Sequence, residues 1–440
     1  MKKITLLGTG KSSQHLIQNL YRHVESWNIE LVIGDLDISS FKKKYTDKPH
    51  VTFFEFGKNN FEAIEAHIKN SYLTISMLPA TLHIQIAKMC LVHESHLITP
   101  SYVSDEMKAL DSEAKAKNLI FLNEMGFDPG IDHLTTMKIY HELQEKGAQL
   151  TSYKSYAGGL VAPKSDTNSW GYKFSWNPRN VILAGQGGTI KYLENNKNRY
   201  IPYYALFQNA EQVSISNGST FDGYANRDSL KYKEVYQWNE IETLYRGTLR
   251  RPYFCSAWNI LVMLGLTDDS FELQMPLNST FADFYNHFYD KKTIKKQFAA
   301  IWNSDIEIKL DFIGFNDSKS ILKKTTGSPA AILQSILEEK WALGSEDTDF
   351  VVMVHYFEFI QNNKKYQIES YMTLEGEDAT YTAMSKTVGM PIFFAAEMIL
   401  NQKIEETGIL LPLKKEIYEP ILKKLEEIGV IFHEKIIELG

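Results

Sequence analysis

Two short strings in this 440-residue chain carry the residue types that handle phosphate and protons. The first is Gly8-Thr9-Gly10-Lys11-Ser12-Ser13, directly after the apolar run KITLL. Glycines two apart let a chain turn sharply and let bare backbone approach an anion. A helix that follows aims its N–H groups and positive dipole end at the same point. The third small position of such turns is usually glycine; here it is Ser13. The GxxxxGK[ST] spacing of a nucleoside-triphosphate loop is not matched at this turn. The string therefore predicts a dinucleotide pyrophosphate site at Gly8, Gly10, Lys11, Ser12 and Ser13. Asp35 closes the next apolar run, ELVIG. A carboxylate there accepts hydrogen bonds from the adenosine ribose and repels a 2′-phosphate, which favours NAD over NADP. Two other readings stay open. Asp35 or Asp37 caps a helix starting at Ser39, and Lys42, Lys43 and Lys44 supply charge for a 2′-phosphate.

The second string is NEMGFDPGIDH, from Asn123 to His133, preceded by TPSYVS with Ser101 and Tyr102. Asp128-Pro129-Gly130 reads as a turn, and Ile131-Asp132-His133 opens a helix. A carboxyl and a phenol are proton acceptor and donor types. The plain alternatives are an Asx cap of the turn for Asp128 and a buried, satisfied aromatic for Tyr102. No HExxH or GxSxG string occurs, the histidines are scattered, and no metal is expected.

These strings need elements to hold them. Residues 3–7, 30–34, 50–55, 73–77, 96–98 and 119–122 read as strands, and 12–27, 39–45, 60–69, 82–92 and 105–117 as helices. Such alternation implies a parallel sheet covered on both faces. Residues at the carboxyl ends of its strands face the ligand crevice. Ser101, Tyr102, Asn123, Glu124 and Asp128 are expected there, with Leu78, Pro79 and Phe127 against the cofactor. Residues 150–260, rich in Tyr, Trp, Gly and Asn, predict a mixed or antiparallel sheet. Residues 280–345 predict helices, and 350–360 with 365–373 a hairpin around Gln361-Asn362-Asn363. Helices are expected over 378–403 and 416–428.

Composition bounds the partners. The net charge is −7, from 47 basic and 54 acidic side chains, so no basic field invites nucleic acid or anionic lipid. The two cysteines, Cys90 and Cys255, make no disulfide framework, and a cytoplasmic setting fits. The longest apolar runs, at 259–266 and 391–400, fall short of a membrane span, and no membrane partner is expected. Bulky apolar surfaces on the late helices make a homodimer the expected assembly.

NEMGFDPGIDH and TPSYVS belong with further text: YAGGLVAPKSDTNSWGYKFSWNPRNVILA, NRDS around Arg227, RGTLR, and TVGMPIFFAAEMILNQKI. Together they resemble the L-glutamate-forming branch of the saccharopine dehydrogenase family, over nearly the whole chain. The resemblance implies oxidation of saccharopine with NAD(P) and water to L-glutamate and 2-aminoadipate 6-semialdehyde, or the reverse. It implies proton work for Asp128 and Tyr102, substrate contacts from Ser101, Tyr102, Asp128, Arg227, Thr248 and Arg250, and Trp176 at the cofactor. Three substrate carboxylates call for guanidinium groups. Lys173 and Arg179 are further candidates, Arg246 reads as structural, and each arginine has a surface ion pair as its plain alternative. The family often has cysteine in SYCGG; this chain has Ala157, which removes thiol chemistry there. A carboxynorspermidine-type imine reductase and a non-catalytic dinucleotide sensor are the alternatives. The expected architecture is α/β. A doubly wound, Rossmann-like cofactor domain (1–125) precedes an α+β substrate domain (126–385) with a helical insertion at 280–345. A helical segment (386–440) then returns to the cofactor domain.

Overall fold

The apolar runs of the first third become six parallel strands in the computed structural model: β1 (Lys2–Leu7), β2 (Ile29–Asp35), β3 (Val51–Glu55), β4 (Leu73–Ser76), β5 (His96–Ile98) and β6 (Ile120–Leu122). The late strand Gly408–Leu410 adds to the edge at β6, and the order runs from it through β6, β5, β4, β1, β2 and β3. Strand order therefore reverses between β1 and β4, the switch point where such sheets open a crevice. Ile4, Leu6, Leu31, Ile33, Leu73 and Ile75 are fully buried, as a sheet covered on both faces requires. The structure describes residues 1–45, 48–57, 60–290 and 292–440. They form two units: Met1–Lys146 with Thr380–Ile431, and Gly147–Ala379 with Phe432–Gly440.

In the first unit, α1 (Gln14–His23) follows a single 3-10 turn, Lys11–Ser13, and buries Leu16, Ile17 and Leu20. Helix Ala383–Leu400 packs on it so closely that a methyl group at Gly389 would stand 3.0 Å from the Leu16 nitrogen. Its Ser385 hydroxyl accepts the His15 backbone N–H at 3.0 Å, one of the first-turn donors that a helix cannot satisfy itself. This helix has 18 residues and is long and apolar enough to cross a membrane by length and composition, unlike the shorter run read from sequence. It is instead 78% buried inside the protein.

Several sequence-based boundaries shift. The single helix expected over 105–117 is two, Asp105–Lys108 and Asp111–Ala116. The second is aimed at the added strand, where the Asp111 carboxylate accepts the Ile409 N–H at 2.9 Å. Helix Ile131–Glu145 falls in the first unit, not beyond a border at 126, because it packs on Lys415–Glu427, with His141 Nδ1 2.9 Å from the Tyr418 hydroxyl. The segment after 386 is not all helix: it adds Gly408–Leu410 to the first sheet and His433–Leu439 to the second.

The second unit is built on a mixed sheet ordered Glu211–Ser214, Thr220–Ala225, Thr243–Arg250, Gln149–Val161, Asp349–Gln361, Lys364–Glu375 and His433–Leu439. Neighbours are antiparallel except Thr243–Arg250 with Gln149–Val161. The hairpin turns on Asn362 and Asn363, both at positive φ (51° and 59°), the conformation that two-residue hairpin loops demand and asparagine tolerates. Trp170, Tyr172, Phe174, Phe254, Trp258 and Trp341 form the centre of its core.

Candidate active site

The glycine turn sits at the switch point. Gly8 has φ +97°, and a Cβ there would meet the Met77 carbonyl at 2.9 Å, so β1 and the end of β4 approach too closely for any side chain. Leu78 and Pro79 follow directly and lie beside the turn. Gly10 is different: a Cβ there would meet nothing within 4 Å. No protein packing requires glycine at Gly10, whereas bare backbone facing open space is what a pyrophosphate needs. Ser13 is buried, and its hydroxyl donates to the Gly10 carbonyl at 2.7 Å. Lys11 is exposed and Ser12 half-buried on the same turn.

Asp35, at the end of β2, accepts the Thr9 N–H and Thr9 hydroxyl on Oδ2, each at 2.5 Å, and the Leu36 N–H on Oδ1 at 2.6 Å. It ties the turn to β2. Asp37, not Asp35, holds the start of the helix at Ser39, accepting the Ser39 N–H at 2.8 Å.

At the carboxyl ends of β4, β5 and β6, a polar cluster forms. The Tyr102 hydroxyl donates to Asp128 Oδ1 at 3.2 Å. Ser101 Oγ lies 2.8 Å from His83 Nε2, and His83 Nδ1 lies 2.9 Å from Ser76 Oγ. Burial lowers the His83 pKa to about 4, so the ring is neutral near pH 7 and bridges the two hydroxyls with one N–H. Glu124 sits in the left-handed region (φ 55°), a conformation that costs on the order of 1–3 kcal/mol for a non-glycine residue and tends to mark functional sites. Its carboxylate accepts the Val103 N–H at 3.0 Å and lies 2.7 Å from His133 Nε2. Phe127 is buried just before Asp128, and the Asp132 carboxylate accepts the Gly130 N–H at 2.6 Å, closing the turn. The structure brings Tyr102 and Asp128 within hydrogen-bonding distance of each other. The Ser76–His83–Ser101 chain and the Glu124–His133 pair were not foreseen.

The second unit contains the candidate cations. Arg227 is exposed and also left-handed (φ 51°), on the loop after strand Thr220–Ala225, where its carbonyl accepts the Lys191 N–H at 3.0 Å. Arg246, Thr248 and Arg250 alternate along one face of strand Thr243–Arg250. Arg246 is buried over the Tyr232 ring, 4.2 Å from its centre. Thr248 is half-buried and paired in register with Tyr224 and Ala157. Arg250 is 3% exposed among Tyr172, Tyr224 and Phe254. One terminal nitrogen donates to the Leu249 carbonyl at 2.9 Å, its Nε has no hydrogen-bond partner, and among the described residues no carboxylate pairs with it. Lys173 and Arg179 are instead held by Asp347 and Asp269. Trp176 is half-buried, its indole N–H donating to the Tyr172 hydroxyl at 3.2 Å.

An open glycine turn at a switch point, with a hydrogen-bonded tyrosine and aspartate beyond the adjoining strand ends, is the arrangement of a dinucleotide-dependent oxidoreductase. Comparison with known proteins is consistent over the full length. Residues 4–122 match the family model for the saccharopine dehydrogenase NADP binding domain, and residues 126–430 that for the saccharopine dehydrogenase C-terminal domain. The chain is 31% identical to saccharopine dehydrogenase [NADP(+), L-glutamate-forming] of Schizosaccharomyces pombe, covering 100% of both. It is 31% identical to alpha-aminoadipic semialdehyde synthase of Arabidopsis thaliana, over 93% of this chain and 41% of that protein. The apo saccharopine dehydrogenase (L-Glu forming) structure from Saccharomyces cerevisiae superposes with a TM-score of 0.87 at 26% identity, covering 99% of this chain and 100% of that one. Homospermidine synthase of Legionella pneumophila, at 10% identity and a TM-score of 0.56, shares the fold. The chain belongs to the saccharopine dehydrogenase family.

Proposed function

We propose that this protein interconverts saccharopine with L-glutamate and 2-aminoadipate 6-semialdehyde, using a nicotinamide dinucleotide. Arg250 is the observation that carries the substrate reading. A buried guanidinium with a spare donor and no carboxylate of its own among the described residues fits a ligand that brings carboxylates. Saccharopine brings three. Arg227 and Thr248 are further substrate contacts, and Ser101 offers a hydroxyl oriented by His83.

A bound nicotinamide would exchange the hydride; the protein's part is to hold the substrate and move protons. Gly8, Gly10, Lys11, Ser12 and Ser13 would hold the pyrophosphate, with Leu78, Pro79, Phe127 and Trp176 as further cofactor contacts. Oxidation of the secondary amine needs an acceptor for its proton, and hydration of the resulting imine needs a donor and acceptor near the new oxygen. Asp128 and Tyr102, hydrogen-bonded to each other, are the groups for this.

Asp35 supports NAD as the preferred cofactor, since a carboxylate at the end of β2 disfavours a 2′-phosphate. The relatives' names support NADP. Lys44 lies with its Nζ 4.4 Å from the centre of the Tyr381 ring. Incubation with saccharopine and each cofactor, following reduced-nicotinamide absorbance, tests both points. Absence of turnover with either would overturn the proposed activity. Asp35→Ala should shift the kcat/KM ratio toward NADP, and an unchanged ratio would show that Asp35 does not select.

A further inference from the structure

Tyr102 lies on a stretch without regular structure between β5 and the helix at Asp105. Its hydroxyl donates to Asp128, and its backbone is placed by contacts from other parts of the chain. Glu124 makes two of these. Its backbone N–H donates to the Ser101 carbonyl at 3.2 Å, and its Oε1 accepts the Val103 N–H at 3.0 Å. One residue thus grips the backbone on both sides of Tyr102. The second carboxylate oxygen, Oε2, is 2.7 Å from His133 Nε2, and the two side chains are 4% and 0% exposed.

His133 stands in the first turn of helix Ile131–Glu145, immediately after the turn that presents Asp128. The Glu124–His133 pair therefore joins the stretch that bears Tyr102 to the turn that bears Asp128. Glu124 makes both contacts from a left-handed backbone, φ 55°. A buried pair of this kind is weak as a stabilising device, because a well-packed apolar pair does as well. Placement of a reacting group is where it has effect.

We propose that Glu124 is a positioning residue for Tyr102, held in turn by His133. This rests on the reading of Tyr102 and Asp128 as the proton-handling pair. The test is a double-mutant cycle in the full chain, measuring saccharopine turnover and, separately, cofactor affinity by fluorescence of the bound reduced nicotinamide. Glu124→Ala should lower kcat on the order of 10²-fold, the cost of about 1 Å of misplacement, while leaving cofactor affinity unchanged. Glu124→Gln keeps an oxygen for the Val103 N–H and should restore most of the turnover. In a Tyr102→Phe background, Glu124→Ala should have no further effect on kcat. Equal losses in both backgrounds would overturn the positioning role while leaving Tyr102 in its own. Full turnover in Tyr102→Phe alone would overturn the proton-handling reading, and the positioning role with it. If Glu124→Ala does not fold, His133→Gln carries the same cycle, with a smaller loss that must likewise vanish beside Tyr102→Phe.

Discussion

Arg250 and His83 show how burial sets the behaviour of single groups. Arg250 holds a charge in an aromatic pocket without a carboxylate partner among the described residues. Replacing such a charge with an apolar side chain of similar length removes a desolvation cost that offsets the lost bond to the Leu249 carbonyl. Arg250→Met should leave the thermal midpoint of the ligand-free protein unchanged or higher. It should lower kcat/KM for saccharopine roughly 10- to 100-fold, from about 1.5–3 kcal/mol for hydrogen bonds to a charged group. A lower midpoint with unchanged kcat/KM would make Arg250 a core residue only. His83 is protonated in the unfolded chain below about its ordinary 6.5 but not in the folded one until about 4. The unfolded state binds more protons in that window, so stability is full above pH 6.5 and falls as pH drops toward 4, by about 3 kcal/mol in all. Burial of His96 adds a loss of the same sign. Denaturant unfolding at pH 7 and pH 4.5 should show a smaller drop for His83→Gln than for the unaltered chain. Asp128 and Tyr102 were legible because each lies in a distinctive string. His83 was not, because its partners Ser76 and Ser101 come from different strand ends, and a sequence does not display which ends meet.

Among elements, the glycine turn separates two uses of one residue type. Gly8→Ala should destabilise the first unit by about 1–3 kcal/mol, since φ +97° is strained for alanine and the Met77 carbonyl is 2.9 Å from the new methyl. Gly10→Ala should melt like the unaltered protein yet raise KM for the cofactor. Thermal melts beside cofactor titrations would distinguish the two, and equal melting losses would refute the distinction. Ser13 stands where glycine is usual, buried, and its hydroxyl tightens the turn onto Gly10. Strands with buried apolar runs, and the hairpin at Asn362-Asn363, were readable from period and turn chemistry. Gly408–Leu410 was not, being three residues long, nor was His433–Leu439, a mostly exposed edge strand whose charged residues look like those of a helix surface. Past the break between Lys108 and Asp111, the Asp111 carboxylate accepts the distant Ile409 N–H, a contact no local pattern reveals.

For the whole molecule, the doubly wound sheet and the second mixed sheet were evident in outline, while the assignment of chain to unit was not. Helix Ile131–Glu145 has no compositional mark that sorts it, and only its packing on Lys415–Glu427 does so. A chain ending at residue 379 would lose a sheet edge from each unit and the cover over α1. It should bind cofactor weakly or not at all and expose apolar surface to a hydrophobic dye. Tight binding and a cooperative melt in that shortened chain would show that the returning segment is dispensable.

That return has a consequence for biosynthesis. β6 ends at Leu122, whereas its neighbour begins at Gly408. At about 5–20 residues per second, the ribosome delivers the neighbour on the order of tens of seconds after β6. Throughout that interval the nascent cofactor unit has an open strand edge and an uncovered α1 face, while Gly147–Ala379 lacks only the edge strand His433–Leu439. Neither unit has its full sheet until the segment after residue 379 is made: Gly408–Leu410 completes the first and His433–Leu439 the second. The earlier-made half is the one that waits longest for its missing parts, and slow codons after residue 379 would prolong its exposure.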